Sequence, residues 1–240
     1  SAKIQSLFYG AHANLSQNME LIMAKTATVL FDLDGTLIDS TEAIVESFGA
    51  AFAYFGEPSP PSREIIKMIG NPLNKMFAAL GVEEARLQNY IDRYKERYSA
   101  VCLTKTLLLP LVKEALATLK PFARIGVVTT KMASRSNEIL AHLGVRDYID
   151  AIVGFEDTQN PKPHPEPILL ALERLQTALS EDNIFMIGDT PIDINAALNA
   201  GVTPIGLLCG YSDAAAFAPF DCEVYQNAFE AANSIAKRLQ

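Results

Sequence analysis

The chain of 240 residues is long enough for one large domain, or for a domain carrying a smaller insert, and needs no disulfide or metal staple to build a core. With 49% hydrophobic and 20% charged residues and only 13 Gly and 13 Pro, its composition is neither disordered nor collagen-like. A formal charge of -8 gives a field that repels polyanions, which excludes nucleic acid and anionic membrane as partners and leaves a small substrate as the expectation.

Residues 1–25 read as an N-terminal extension outside the chemistry. Ser1 opens it and Met19 and Met23 lie just ahead of the first strand signal, which suits a vector-derived or upstream-start segment. It has neither the basic leader nor the apolar core of a signal peptide. Cys102, Cys209 and Cys222 form no Cys-x-x-Cys pair, and their odd number suits reduced thiols in a cytoplasmic protein. No apolar run approaches the roughly 18 residues of a membrane span. Leu107–Leu109, among the longest, has the size of a core segment.

In chain order, Thr28–Leu33 (TVLFDL) is apolar and β-branched and reads as a buried strand running into a loop. From 41 to 106 no strand signal appears. Helical patterns cover Thr41–Phe55, Ser62–Ile69, Pro72–Leu80 and Glu83–Val101, with Pro58, Pro60 and Pro61 dividing the first two. Strand-like runs return at Arg124–Thr129, Asp150–Phe155, Ile184–Gly188 and Thr203–Leu208, separated by segments of helical periodicity. Near-continuous apolar strands alternating with helices predict an α/β fold with a doubly wound, Rossmann-like parallel sheet. The core then comprises 26–40 and 107–240, with 41–106 inserted as a helical cap.

Ligands of open α/β sheets collect at the carboxyl ends of the strands, and the acids lie there. Asp32 and Asp34 close the first run in DLDGTL, Thr129 closes the second in VVTTK, Lys162 follows the third in NPKPHPEP, and Asp189 and Asp193 follow the fourth in GDTPID. Strand alternation turns both carboxylates of Asp-x-Asp the same way, and Gly35 lets the chain turn sharply after them. Four carboxylates in one crevice repel one another. One divalent cation and Lys162 would leave a single net negative charge. Oxygen donors without His or Cys favour Mg²⁺ over zinc. A calcium loop starting at Asp32 fails, since it would need Gly and Glu where Leu37 and Ala43 stand.

Such a cluster suits phosphoryl transfer. Asp32 is the candidate nucleophile and Asp34 the acid that protonates the leaving oxygen and then activates water. Lys162 would neutralise charge on both nucleophile and phosphoryl group. The Thr129 hydroxyl and loop N–H groups at Thr130 and Gly35 would bind phosphate oxygens. Asp189, supported by Asp193, would complete the metal site.

These motifs, in this order, resemble the haloacid dehalogenase superfamily in its phosphatase branch, closest to phosphoglycolate-phosphatase-like members with a helical cap, over about residue 26 to the C-terminus. The resemblance implies that Asp32 is the nucleophile, Asp34 the acid/base, and that Mg²⁺ is bound by Asp32, the backbone carbonyl at Asp34, and Asp189. Two positions depart from the family pattern. Thr130 replaces an Asn common in relatives, which would alter a phosphate-site or amide contact. Leu111 replaces a common Gly, which implies a different hinge conformation or packing. The acid at 34 argues against a dehalogenase or phosphonatase.

The expected function is therefore Mg²⁺-dependent hydrolysis of a small soluble phosphomonoester through an aspartyl phosphate, with a phosphoglycolate-like substrate favoured. The nearest rival is a sugar-phosphate mutase resembling β-phosphoglucomutase, which would use the same two acids. A receiver-like phosphate-binding module is the rival of another class, and the helical insertion argues against it. In the cap, Asn71 and Lys75 are candidate specificity residues, and the Gly210–Tyr211 turn is a candidate wall of the site. His12, His142 and His164 have no ligand spacing and read as structural. Nothing in the sequence fixes the oligomeric state.

Overall fold

The structure, a computed structural model, describes residues 25–239. The expectation for the N-terminal extension falls almost wholly outside them. Strand β1 (Ala27–Phe31) is buried along its whole length. It lies between β4 (Ala123–Val128) and β6 (Ile184–Gly188), both parallel to it, with Phe31 opposite Val127 and Ile187. Outward from these come β5 (Ala151–Val153) on one side and β7 (Thr203–Leu207) and β8 (Glu223–Tyr225) on the other, giving the six-stranded parallel order β5-β4-β1-β6-β7-β8.

Both faces of the sheet are covered, which is why its strands read as continuous apolar runs rather than alternating ones. Val29 and Phe31 face a core completed by α5 (Val112–Leu119), α6 (Ala133–His142) and, after the short helix α9 (Ala214–Phe217), α10 (Ala228–Arg238), through Leu116, Ile139 and Ile235. Leu30, pointing the other way, joins Ile168 and Leu172 of α7 (Glu166–Arg174) and Ala196 and Ala197 of α8 (Pro191–Ala200). The doubly wound architecture expected from the sequence is thus the one observed.

Between the two-residue strands β2 (Ile38–Asp39) and β3 (Leu107–Leu108), which pair antiparallel, the chain is wholly helical. It runs through α1 (Thr41–Tyr54), α2 (Ser62–Ile66), α3 (Leu73–Ala79) and α4 (Leu87–Val101). Aromatic rings fill the centre of this insertion, with Phe48 and Phe77 at 4.5 Å and Phe52 and Tyr90 at 5.2 Å between centroids. Such pairs contribute about 0.5–1.5 kcal/mol beyond area burial.

Several local expectations are corrected. Leu107 is 66% exposed rather than core, because β3 belongs to the small antiparallel pair and not to the central sheet. Leu111 takes a left-handed conformation, φ 63°, which favours glycine, so the leucine bears the strain there. The run Asp150–Phe155 is a strand only to Val153, the chain turning into a 3-10 segment at Phe155–Asp157. A short β8 escapes the reading of apolar runs, since Glu223 and Val224 are exposed on the sheet edge.

Candidate active site

The acids expected at the strand ends meet. Asp32 follows β1, its N–H donating to Ile187 O at 2.9 Å, and its side chain is buried. The ammonium of buried Lys162 donates to Asp32 Oδ1 (2.8 Å), Asp193 Oδ1 (2.6 Å) and Val128 O (2.8 Å), which uses all three of its protons. Burial opposes charge on this lysine, yet Asp193 and Asp32 outweigh it and hold its pKa above the ordinary value. Asp193 sits in the first turn of α8, where its Oδ2 also accepts from Thr190 N–H (3.1 Å) and hydroxyl (2.7 Å) as part of a capping box. Both Asp193 oxygens are therefore engaged, and its geometry is that of a residue that orients Lys162.

Asp189 follows β6, fully buried, and accepts from the Thr36 hydroxyl and from Tyr211 N–H, each at 2.8 Å. Space for it exists because two glycines lack side chains. A Cβ on Gly35 would fall 2.3 Å, and one on Gly210 2.1 Å, from Asp189 Oδ2. Gly35 also turns the chain at φ 82°, and its N–H already donates to Ile38 O at 2.8 Å. It supplies the turn and the clearance rather than a free phosphate donor, a correction to the sequence reading.

Asp34 is separated from this group. Its Oδ1 accepts from the Ser40 hydroxyl and its Oδ2 lies 3.2 Å from the Lys131 ammonium. Lys131 in turn donates to Tyr98 Oη of α4 at 2.7 Å and lies 4.4 Å from the centre of that ring. Burial disfavours the Lys131 charge, but Asp34 and the tyrosines raise its pKa well above normal; burial raises that of Tyr98. Asp32 and Asp34, two residues apart, thus have unlike surroundings.

Thr129, buried at the end of β4, accepts Lys131 N–H at 3.1 Å on its hydroxyl. The Thr130 hydroxyl donates to Gly70 O (3.2 Å) between α2 and α3 and so joins core to insertion. Next to Asp34 a cavity of about 510 Å³ opens between core and insertion, lined by Asn71 among others. Lys75 is exposed on α3 and does not line it, because the cavity side of that helix is taken by Leu73, Asn74 and Met76. The cations on the lining are Lys95, Lys131 and Arg135. Thr36, Ser40, Lys131 and Tyr98 were not singled out from sequence. Lys131 was in view in VVTTK, directly after a strand end. His142 and His164 are exposed and lie off this site, and His12 lies outside the described residues.

Carboxylate oxygens of Asp32, Asp189 and Asp193 lie within 4.8 Å of one another, all buried. Burial, with Asp193 and Asp189 nearby, pushes the Asp32 pKa well up against the pull of Lys162, and burial plus Asp193 takes Asp189 to about 7. Such crowding calls for a cation, and an all-oxygen donor set fits a hard divalent one. Asp34 stands outside the cluster, so any contribution at that position falls to its backbone, as the resemblance implied.

Acids gathered at the carboxyl ends of a parallel sheet, a buried lysine across two of them, and a cavity beneath a helical insertion are the layout of an enzyme with a Rossmann-like core that acts on phosphate esters. The sequence profile of the haloacid dehalogenase-like hydrolases matches residues 29–207, and the chain belongs to that family. It is 30% identical over 228 residues to a phosphoglycolate phosphatase of Salmonella paratyphi A, covering 84% of this chain and 88% of the relative. It is 32% identical to the pyrophosphatase PpaX of Bacillus velezensis over 188 residues, covering 76% and 83%. A haloacid dehalogenase-like family hydrolase from Streptococcus pneumoniae superposes with a TM-score of 0.79 at 26% identity, covering 88% of this chain and 99% of its own. The chain is a phosphatase, and no helix among the described residues is long and apolar enough to cross a membrane.

Proposed function

We propose that the chain hydrolyses a small soluble phosphomonoester with Mg²⁺ through an aspartyl phosphate on Asp32, with residues 41–106 acting as a cap over the site. The observation that carries this reading is the contrast between the two acids, Asp32 on Lys162 beside the acid cluster and Asp34 on Ser40 and Lys131 facing the cavity. One suits attack and the other proton transfer.

An Asp32 oxygen attacks phosphorus, the bond from phosphorus to the leaving oxygen breaks, and that oxygen takes the proton of Asp34. Asp34 then removes a proton from water, which attacks phosphorus; the acyl phosphate bond breaks and inorganic phosphate leaves. Lys162 keeps Asp32 oriented and offsets charge on the transferred group, and Asp193 keeps Lys162 in place. Asp32 and Asp189 would hold Mg²⁺, which when bound neutralises phosphate charge as a Lewis acid. The Thr129 hydroxyl, while accepting the Lys131 N–H, would donate to a phosphate oxygen.

An ester whose alcohol carries a carboxylate, the chemistry that phosphoglycolate shares, is favoured, because cavity cations can meet that carboxylate and because one relative is a phosphoglycolate phosphatase. Chelation with EDTA should abolish hydrolysis of an aryl phosphate and added Mg²⁺ should restore it. Asp32→Asn should fold, judged by circular dichroism, and show no turnover. Undiminished activity in excess chelator, or turnover by that variant, would reject the reading.

A further inference from the structure

The cavity is larger and more apolar than a two-carbon hydroxy acid needs. Its volume of about 510 Å³ falls in the ~300–1,000 Å³ range of sites that enclose drug-sized ligands. Tyr94 and Tyr98, stacked with ring planes 11° apart and centroids at 5.5 Å, form one wall. At the mouth, Met132 and Phe155 are 40% and 43% exposed, an apolar rim that a ligand would cover.

The charged side chains of the lining are one acid, Asp34, and three cations, in a protein whose net charge is -8. Lys131 is taken by Asp34. The other two are more exposed, and both neighbour Ser99 of α4. Arg135 donates to Ser99 Oγ at 2.8 Å, and Lys95 stands one helical turn before Ser99 on α4. Lys95 has no ion-pair partner among the described residues, and Arg135 has only exposed Glu138 on its own helix.

We propose that the preferred substrate is the phosphate ester of a planar apolar alcohol carrying a second anionic group at the end away from the phosphate. Its ring lies against Tyr94, Tyr98 and Phe155, and its distal anion between Lys95 and Arg135. This rests on the aspartyl phosphatase reading and adds the identity of the leaving group.

Steady-state kinetics with Mg²⁺ on phosphoglycolate, benzyl phosphate and 4-carboxybenzyl phosphate test it, the leaving groups all being alkoxides. The carboxybenzyl ester should exceed both others in kcat/KM by about tenfold or more, and Arg135→Gln should lower its ratio over benzyl phosphate by about tenfold, mostly through KM. Calorimetry on the Asp32→Asn protein should give the same order of affinities without turnover. Phosphoglycolate as the best substrate, equal loss on both benzyl esters in Arg135→Gln, or an affinity for the carboxybenzyl ester no tighter than for phosphoglycolate, each overturns the inference and leaves the phosphatase reading standing. No turnover of any of the three, with no phosphorylated Asp32 after quenching, rejects the phosphatase reading and this inference with it.

Discussion

Asp34 and Asp32 occupy neighbouring positions with separate hydrogen-bond partners, so replacing one should not mimic replacing the other. On the proposed mechanism, Asp34→Asn keeps the nucleophile and removes the proton donor. In single turnover an activated aryl phosphate, whose leaving group needs little protonation, should retain more of its first-step rate than an alkyl phosphate; equal losses would contradict the role. The acids were legible in the sequence because each closes an apolar run, and strand ends of a parallel sheet come together whatever the loops do. Lys131 and Ser40 were not. Their contacts with Asp34 depend on the turn through Gly35 and on where α4 brings Tyr98, neither of which has a periodic signature. Lys75 shows the limit from the other side: the sequence places it one turn past Asn71, but the rotation of α3 about its axis decides what reaches the cavity.

At the level of elements, the join between β3 and α5 holds Leu111 at φ 63°, 44% exposed. The left-handed conformation costs a non-glycine residue roughly 1–2 kcal/mol, and glycine loses about 0.5–1 kcal/mol of that gain to backbone entropy. Leu111→Gly should therefore raise stability by about 0.5–1 kcal/mol in urea unfolding; a loss would show that the leucine side chain packs usefully there. A second element-level device ties the turn after β5 to the end of α7. Arg174 bonds Asp157 at 2.6 Å and 3.2 Å, and Gly154 N–H adds a bond at 2.8 Å. Arg174 foremost, against partial burial, holds the Asp157 carboxyl below its ordinary pKa. The folded value lies below the unfolded value of about 3.9, so this contribution is complete above about pH 4 and drains as pH falls through the folded pKa. Asp157→Asn should narrow its deficit against wild type between pH 6 and pH 3. The five strands with continuous apolar runs were readable to within two residues at each end, whereas β2, β3 and β8 were not, being two or three residues long and partly exposed.

Across the whole molecule, three buried carboxylates share one crevice with a single lysine. A divalent cation binding only the folded state at a hundred times its Kd adds about 2.7 kcal/mol, roughly 5–10 °C in Tm for a chain of this size. Thermal unfolding with and without Mg²⁺ should show that rise, and Asp189→Asn should lose most of it. The fold class was legible because alternation of strand and helix constrains topology strongly. Which cations border the cavity was not, since that depends on how the insertion sits against the core through contacts such as Thr130 to Gly70 and Arg135 to Ser99.

The central place of β1 in the sheet has a consequence in time. It is the first strand among the described residues, and both of its neighbours, with Lys162, Asp189 and Asp193, are made later. Lys162 lies 130 residues beyond Asp32, and Asp189 lies 153 beyond Thr36. At synthesis rates of about 5–20 residues per second, these separations correspond to about seven to thirty seconds on the ribosome. β4 can join β1 earlier in that interval, but the two acids after β1 wait for Lys162, Asp189 and Asp193, so on the proposed mechanism the nascent chain cannot attack a phosphate ester until the last of these has emerged.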